Sequence, residues 1–410
     1  MGVFRKYGDV LSPPGAATAL AMSVLGRLAL GMTGLALLLL VRKATGSYAD
    51  AGFVSAAYAI SFALAAPYRA RAADRNGPTS VLRSTGLCQP LAFGLLVLLA
   101  DVGAPTLLMA LSAVLIGFTV PPLGAVMRAL WGELVEGRRL ATAYSLESVV
   151  VELCFVLGPL LVGALALLAP EAGVLACGVV AGVGALALAA NPRVREVVPH
   201  GARPTSLAGP LVSPVVRACL LNVLWIGTGF GTIEVGVLAF VEQHGQSRST
   251  AGVVLAVWSF GSILGGLVYG GLHLTSPAAR QLPVLVTVTG LAMALPVLSP
   301  GILVLGALLV LAGTTIAPFS ACNSLLIGAS APPGTVTEAF AWNGSMIFGG
   351  AAMGTAVAGV LVDAYGSRAA FLATVVAGLL TIGSSALGLR ALRALRAGHL
   401  EGQHVEQSTA

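Results

Sequence analysis

Charge is what this 410-residue chain has least of: Asp, Glu, Lys and Arg together make up 9% of it, against about 25% in an ordinary soluble domain. So little charge cannot cover a water-facing surface. That excludes the two or three soluble domains the length alone would permit. Lysine is almost missing, with Lys6 and Lys43 the whole complement; arginine carries the positive charge, a bias that fits GC-rich coding and a bacterial source. Cysteine is sparse and unclustered. Cys88, Cys154, Cys177, Cys219 and Cys322 all lie in apolar runs without C-x-x-C spacing, which excludes a zinc cage or a redox pair. No G-x-x-x-x-G-K-[ST] occurs, so ATP has no P-loop. His200, His244, His273, His399 and His404 fall in loops, near span ends or in the tail. No metal, cofactor or enzymatic chemistry is expected.

What is present is apolar. Hydrophobic residues make 57% of the chain and mean hydropathy is +0.93. A spanning helix needs about 20 mostly apolar residues, and such runs recur at 17–41, 51–67, 84–100, 104–127, 141–168, 172–190, 218–240, 250–272, 282–299, 302–327, 339–362 and 369–389. The expectation is an all-α polytopic membrane protein of twelve spans. The first run is long enough to span and stay, so no cleavable signal peptide is expected. The 52 glycines sit mostly inside these runs, where small residues let helix backbones approach in lipid.

Orientation follows from Lys and Arg. With the N-terminus inside, seventeen flank the spans on the cytoplasmic side and four (Arg42, Lys43, Arg248, Arg368) on the outside, with Arg27 within the first span. Both termini are therefore expected in the cytoplasm, and the positive charge reads as topology rather than nucleic-acid binding. The longest hydrophilic connection, 191–217, holds four Arg and five Pro and reads as a linker. It divides the chain into a six-helix bundle at 1–190, a second at 218–389, and a tail at 390–410. An internal repeat agrees. At an offset of 196, Gly117, Thr119, Pro122, Gly158 and Gly163 meet Gly313, Thr315, Pro318, Gly354 and Gly359, and Tyr144 meets Phe340. At an offset of 200, Gly31, Ser47, Ala51 and Gly52 meet Gly231, Ser247, Ala251 and Gly252. Paired six-helix repeats are a transporter signature.

The stretch Ala70-Arg71-Ala72-Ala73-Asp74-Arg75-Asn76-Gly77-Pro78, between the second and third spans, resembles the G-x-x-x-D-R-x-G-R loop of the major facilitator superfamily. Asp74, Arg75 and Gly77 match; Ala70 and Pro78 depart from the pattern. The second-half counterpart, around Gly270-Gly271-Leu272-His273-Leu274, lacks the acid. The resemblance implies two six-helix bundles related by a pseudo-two-fold axis. It also implies a conformational latch in which Asp74 and Arg75 engage the N-terminal end of the eleventh helix. Gly158-Pro159-Leu160-Leu161-Val162-Gly163 resembles the Gly-Pro bend motif of proton-coupled exporters in that family, with Gly158, Pro159 and Gly163 at the bend.

Charges within the hydrocarbon are costly, about 2.5–3.5 kcal/mol for Arg or Asp at mid-helix, and mark mechanism. Arg27 and Glu152 lie at similar depth in the first and fifth spans, which are neighbours in the fold the resemblance implies, so they are expected to couple. Glu147 is five residues from Glu152 and on a different face. Glu234 in the seventh span has no basic partner apparent in the sequence. These four could carry protons or contact substrate, and Arg27 with Glu152 could equally be a static pair; the residues alone leave this open. Tyr58, Asn222, Trp225, Trp258, Asn323, Trp342 and Asn343 are candidate cavity residues of a largely apolar site. The run Arg390 to Arg396, with Arg at every third position, reads as a basic helix on the inner leaflet.

The expectation is a secondary transporter in the plasma membrane, acting as a monomer and exporting a hydrophobic or amphiphilic small molecule against protons. An importer or uniporter of a small metabolite, and a non-transporting sensor of the same fold, are the alternatives.

Overall fold

Lipid offers no partner for a bare amide, so each apolar run satisfies its backbone internally as a helix. The computed structural model describes residues 3–197, 208–272 and 276–385. Among these there is no strand, and twelve helices are long and apolar enough to cross a membrane: Ala16–Thr45, Asp50–Asn76, Pro78–Asp101, Thr106–Leu134, Arg139–Ala166, Pro170–Ala190, Pro214–Gln243, Thr250–Gly271, Ala278–Leu298, Ile302–Ser330, Val336–Tyr365 and Ser367–Ser385. The protein is an all-α polytopic membrane protein. Several helices outrun the apolar runs that announce them. The second span, drawn at 51–67 from apolarity, continues through two further turns to Asn76, because a helix does not stop at its first charged residue.

Two compact units result. One comprises Met1–Thr205 with Ser262–His273 and Pro333–Ser345; the other comprises Ser206–Gly261, Leu274–Pro332 and Met346–Ala410. These units depart from simple chain order in two places. The last turns of the eighth span and the first turns of the eleventh pack with the N-terminal spans. Residues 198–207 of the linker and the basic run from Arg390 lie outside the described residues.

In the first unit the core gathers Met32, Leu37, Leu40, Phe93, Leu96, Met109 and Ile116. The first and fifth spans cross so closely that a Cβ at Gly31 would overlap the Cys154 carbonyl, and one at Gly158 would overlap the backbone of Gly31. In the second unit a Cβ at Gly231 would overlap the Ala351 carbonyl, and one at Gly354 the Thr228 carbonyl. The repeat-matched pairs Gly31/Gly231 and Gly158/Gly354 thus mark the same crossing in each unit.

Two spans, the fourth and the tenth, are interrupted. The fourth breaks between Thr106–Thr119 and Leu123–Leu134, the tenth between Ile302–Gly313 and Ile316–Ser330. In the fourth, the amides that would bond the Gly117 and Phe118 carbonyls belong to Pro121 and Pro122, which have none. Arg69 supplies the donors instead: its Nη1 reaches Gly117 O at 2.9 Å and Phe118 O at 2.6 Å. Gln89 Nε2 donates to Ile116 O at 3.0 Å and Thr119 Oγ1 at 2.8 Å. Arg69→Met, keeping the stem but not the donors, should lower stability by about 1–3 kcal/mol for each carbonyl left bare. Thermal unfolding in detergent measures this, and Arg69→Lys should recover part of the loss.

A short helix, Val3–Leu11, precedes the first span and buries Tyr7 and Val10. Tyr7 OH donates to Gly266 O at 3.0 Å and Lys6 Nζ to Gly271 O. From the fifth span, Thr142 Oγ1 donates to Gly270 O at 2.8 Å and Ser145 Oγ to Gly266 O at 2.5 Å. The end of the eighth span, where the Gly270 and Gly271 carbonyls have no helical partner, is gripped from two sides. Burial, opposed in part by the hydrogen bond with Ser145, pushes the Tyr7 phenol above its ordinary range, so it stays a donor.

Candidate functional site

Helical side chains tilt towards their helix N-terminus. Arg27, one turn before the Gly31 crossing, therefore reaches back along the fifth span and meets Glu147. Arg27 Nη1 lies 2.5 Å from Glu147 Oε2, with 3% and 0% of the side chains exposed. Trp131 Nε1 donates to the other oxygen, Oε1, at 3.0 Å. The expected coupling of Arg27 with Glu152 is corrected: its ion-pair partner is Glu147. The fifth helix begins at Arg138 rather than 141, and the backward tilt of Arg27 lowers its reach further. Glu152 is half-buried, more than a turn beyond. A cavity of about 30 Å³ adjoins Arg27, lined also by Thr33, Tyr58, Gln89, Leu123 and Gly124. Its volume suits roughly two waters.

The segment read as a loop around Asp74 is the end of the second-span helix. Asp74 accepts from the amides of Thr337 at 3.2 Å and Glu338 at 2.9 Å. These are first-turn amides of Val336–Tyr365, without helical partners, so Asp74 caps that helix from another one. Arg71 grips Glu338 with Nε at 2.8 Å and Nη2 at 2.5 Å. Arg75, expected at this contact, is exposed instead. On a helix Arg71 is one turn from Asp74 and shares its face, while Arg75 is rotated about 100° away. Gly77 ends the helix at φ 84°, where a side chain would be strained. Beside this contact Ala66, Ala70 and Ala341 pack together, and the ring of Tyr144 meets that of its repeat partner Phe340 at 5.7 Å.

The other candidates divide between the units. Tyr58, Trp342 and Asn343 belong to the first, and Tyr58 lines the cavity beside Arg27. Asn222, Trp225, Trp258 and Asn323 belong to the second. There Asn222 Oδ1 accepts from Ser384 Oγ at 2.6 Å, and Trp258 packs edge-on against Phe230 at 5.1 Å. Both read as internal packing. Glu234 is exposed on the seventh span, and no described residue forms an ion pair or hydrogen bond with it. Pro159 lies within the unbroken helix Arg138–Ala166, and Gly163 faces open space.

The sequence profile of the Major Facilitator Superfamily matches residues 19–241, more than half of the chain. The chain belongs to that superfamily. No curated protein is matched by sequence. Among solved structures, the human organic anion transporter MFSD10 (TETRAN) is 17% identical with a TM-score of 0.72, covering 91% of this chain and 100% of that one. A bacterial homologue of the iron transporter ferroportin, in its outward-facing state, is 15% identical with a TM-score of 0.74, covering 91% and 99%. The E. coli fucose:proton symporter FucP is 12% identical with a TM-score of 0.70, covering 91% and 98%. At these identities the likeness shows the fold.

Membership in the major facilitator superfamily points to a transporter. Four residues of its first unit escaped sequence reasoning: Arg69, Arg71, Gln89 and Arg128. The three arginines lie past the ends of the apolar runs, where apolarity alone leaves them outside the spans, although the helices continue. The i, i+3 spacing of Arg71 and Asp74 was the signal available for one of them.

Proposed function

We propose that this chain works by alternating access, exporting an amphiphilic small molecule in exchange for protons. The proposed setting is a bacterial plasma membrane, with both termini cytoplasmic and a single chain as the working unit. The carrying observation is the Asp74 contact. A carboxylate on first-turn amides and one bidentate ion pair join the second span to the eleventh, and such a contact can break and re-form as a whole. A charge at a helix N-terminus contributes about 0.3–1 kcal/mol, up to about 2 when partly buried, enough to bias two nearly balanced states.

Glu234 is the proposed proton carrier. Glu147 holds both oxygens engaged with Arg27 and Trp131, whereas no described residue engages the Glu234 carboxylate. In proteoliposomes, an imposed pH gradient should drive amphiphile movement, and Glu234→Gln should uncouple that movement from pH. Unchanged pH dependence in this variant would remove Glu234 from the role, and no gradient-driven movement of any solute would favour a sensor.

Asp74→Asn should weaken the latch by about 1 kcal/mol, a roughly fivefold population shift. A cysteine at Ala341, read in a background without the native thiols, reports it. Its labelling by a water-soluble maleimide should rise several-fold when Asp74 is changed. Equal labelling would show that the contact does not gate.

A further inference from the structure

A second guanidinium stands beside the Arg27–Glu147 pair. Gly124, Arg128 and Trp131 lie at i, i+4 and i+7 of Leu123–Leu134, on one helix face. Both flanking positions meet the pair: Trp131 donates to Glu147, and Arg27 Nε is 3.6 Å from where a Cβ at Gly124 would stand. Arg128, between them, is within electrostatic reach of both Glu147 and Arg27. The fourth span runs towards the end of the unit where the first span begins. Backward tilt therefore carries the Arg128 side chain away from that end, deeper into the unit rather than out to an interface.

No described residue balances it. The Arg128 Nε is buried without a hydrogen-bond partner, and no ion pair engages the guanidinium. Glu147, the carboxylate within its electrostatic reach, is already engaged at one oxygen by Arg27 and at the other by Trp131. The Tyr144 hydroxyl is spent on the Arg128 backbone carbonyl at 3.2 Å. The residue as a whole is only partly buried. A guanidinium fork recognises a planar carboxylate or a sulfonate by paired hydrogen bonds, and a charge out of water calls for a counter-charge.

We infer that Arg128, with Arg27 beside it, recognises one carboxylate or sulfonate on the transported solute, which makes the substrate an amphiphilic organic anion. The inference rests on the transport reading for the use of the site. Its sign suits export: from a cell that is negative inside, an anion leaves down the electrical gradient.

The test uses the full chain in detergent with aryl carboxylates and sulfonates of one to three rings, matched to quaternary ammonium compounds on the same rings. Anions should raise the unfolding temperature. Arg128→Gln should weaken their apparent affinity roughly tenfold or more, and Arg128→Lys should retain part of it. Preferential protection by the cations, no shift with any anion, or an equal shift in Arg128→Gln overturns the assignment. Flux in proteoliposomes separates this from the transport reading. Arg128-dependent protection without flux refutes transport and leaves the site standing. Gradient-driven movement of the cations alone refutes the anion and leaves transport standing.

Discussion

Glu147→Ala is expected to cost roughly 3–5 kcal/mol, because it strands the Arg27 guanidinium in a site that is 3% exposed. The loss comes from the partner left behind more than from the bond removed. Taking two charges out of water is expensive, and an ion pair only partly recovers that cost. The double variant Arg27→Met with Glu147→Leu should therefore recover much of the stability, with the Trp131 indole and the Arg128 guanidinium both left without Glu147. Thermal unfolding of the three proteins in the same detergent is the measurement. A single variant that loses less than about 1 kcal/mol would indicate a solvated pair, of the kind seen on surfaces.

The second large effect is steric. Gly158→Leu should prevent recovery of a monodisperse folded protein, while Gly163→Leu, five residues along the same helix, should be tolerated. A Cβ at Gly158 meets the main chain of Gly31 and Met32, which cannot rotate aside, whereas Gly163 has nothing within 4 Å. Overpacking against movable side chains costs about 1–3 kcal/mol; against backbone the helices must separate. The second unit offers the same contrast, with Gly354→Leu severe and Gly359→Leu mild. Size-exclusion profiles of the four variants decide the matter. Normal behaviour of Gly158→Leu would show that the crossing is looser than described.

These glycines also show what could be read from residues alone. Matching Gly31 to Gly231 and Gly158 to Gly354 needed only the chain, and both pairs mark the crossing of the same two spans in each unit. Span number was equally legible, since twelve apolar runs have one way to satisfy their backbones in lipid. The side chains that matter near the span ends were not. Reading a span by apolarity stops it at the first arginine, and Arg69, Arg71 and Arg128 all lie just past that point on helices that continue. Arg128 follows the apolar run 104–127 by one residue, though its side chain tilts back into the unit. The Arg27 partner failed for a related reason. Equal depth of Cα atoms does not give equal depth of charged heads when a long side chain leans by a turn.

The grip on the eighth span carries a temporal consequence. Lys6 and Tyr7 are synthesised ahead of the first span, and their partners Gly271 and Gly266 follow more than 250 positions later. During synthesis the helix Val3–Leu11 must wait without these partners while seven spans are made. Closure of this contact is then a late event, and protection of Tyr7 from modification would time-stamp completion of the eighth span in a translating chain.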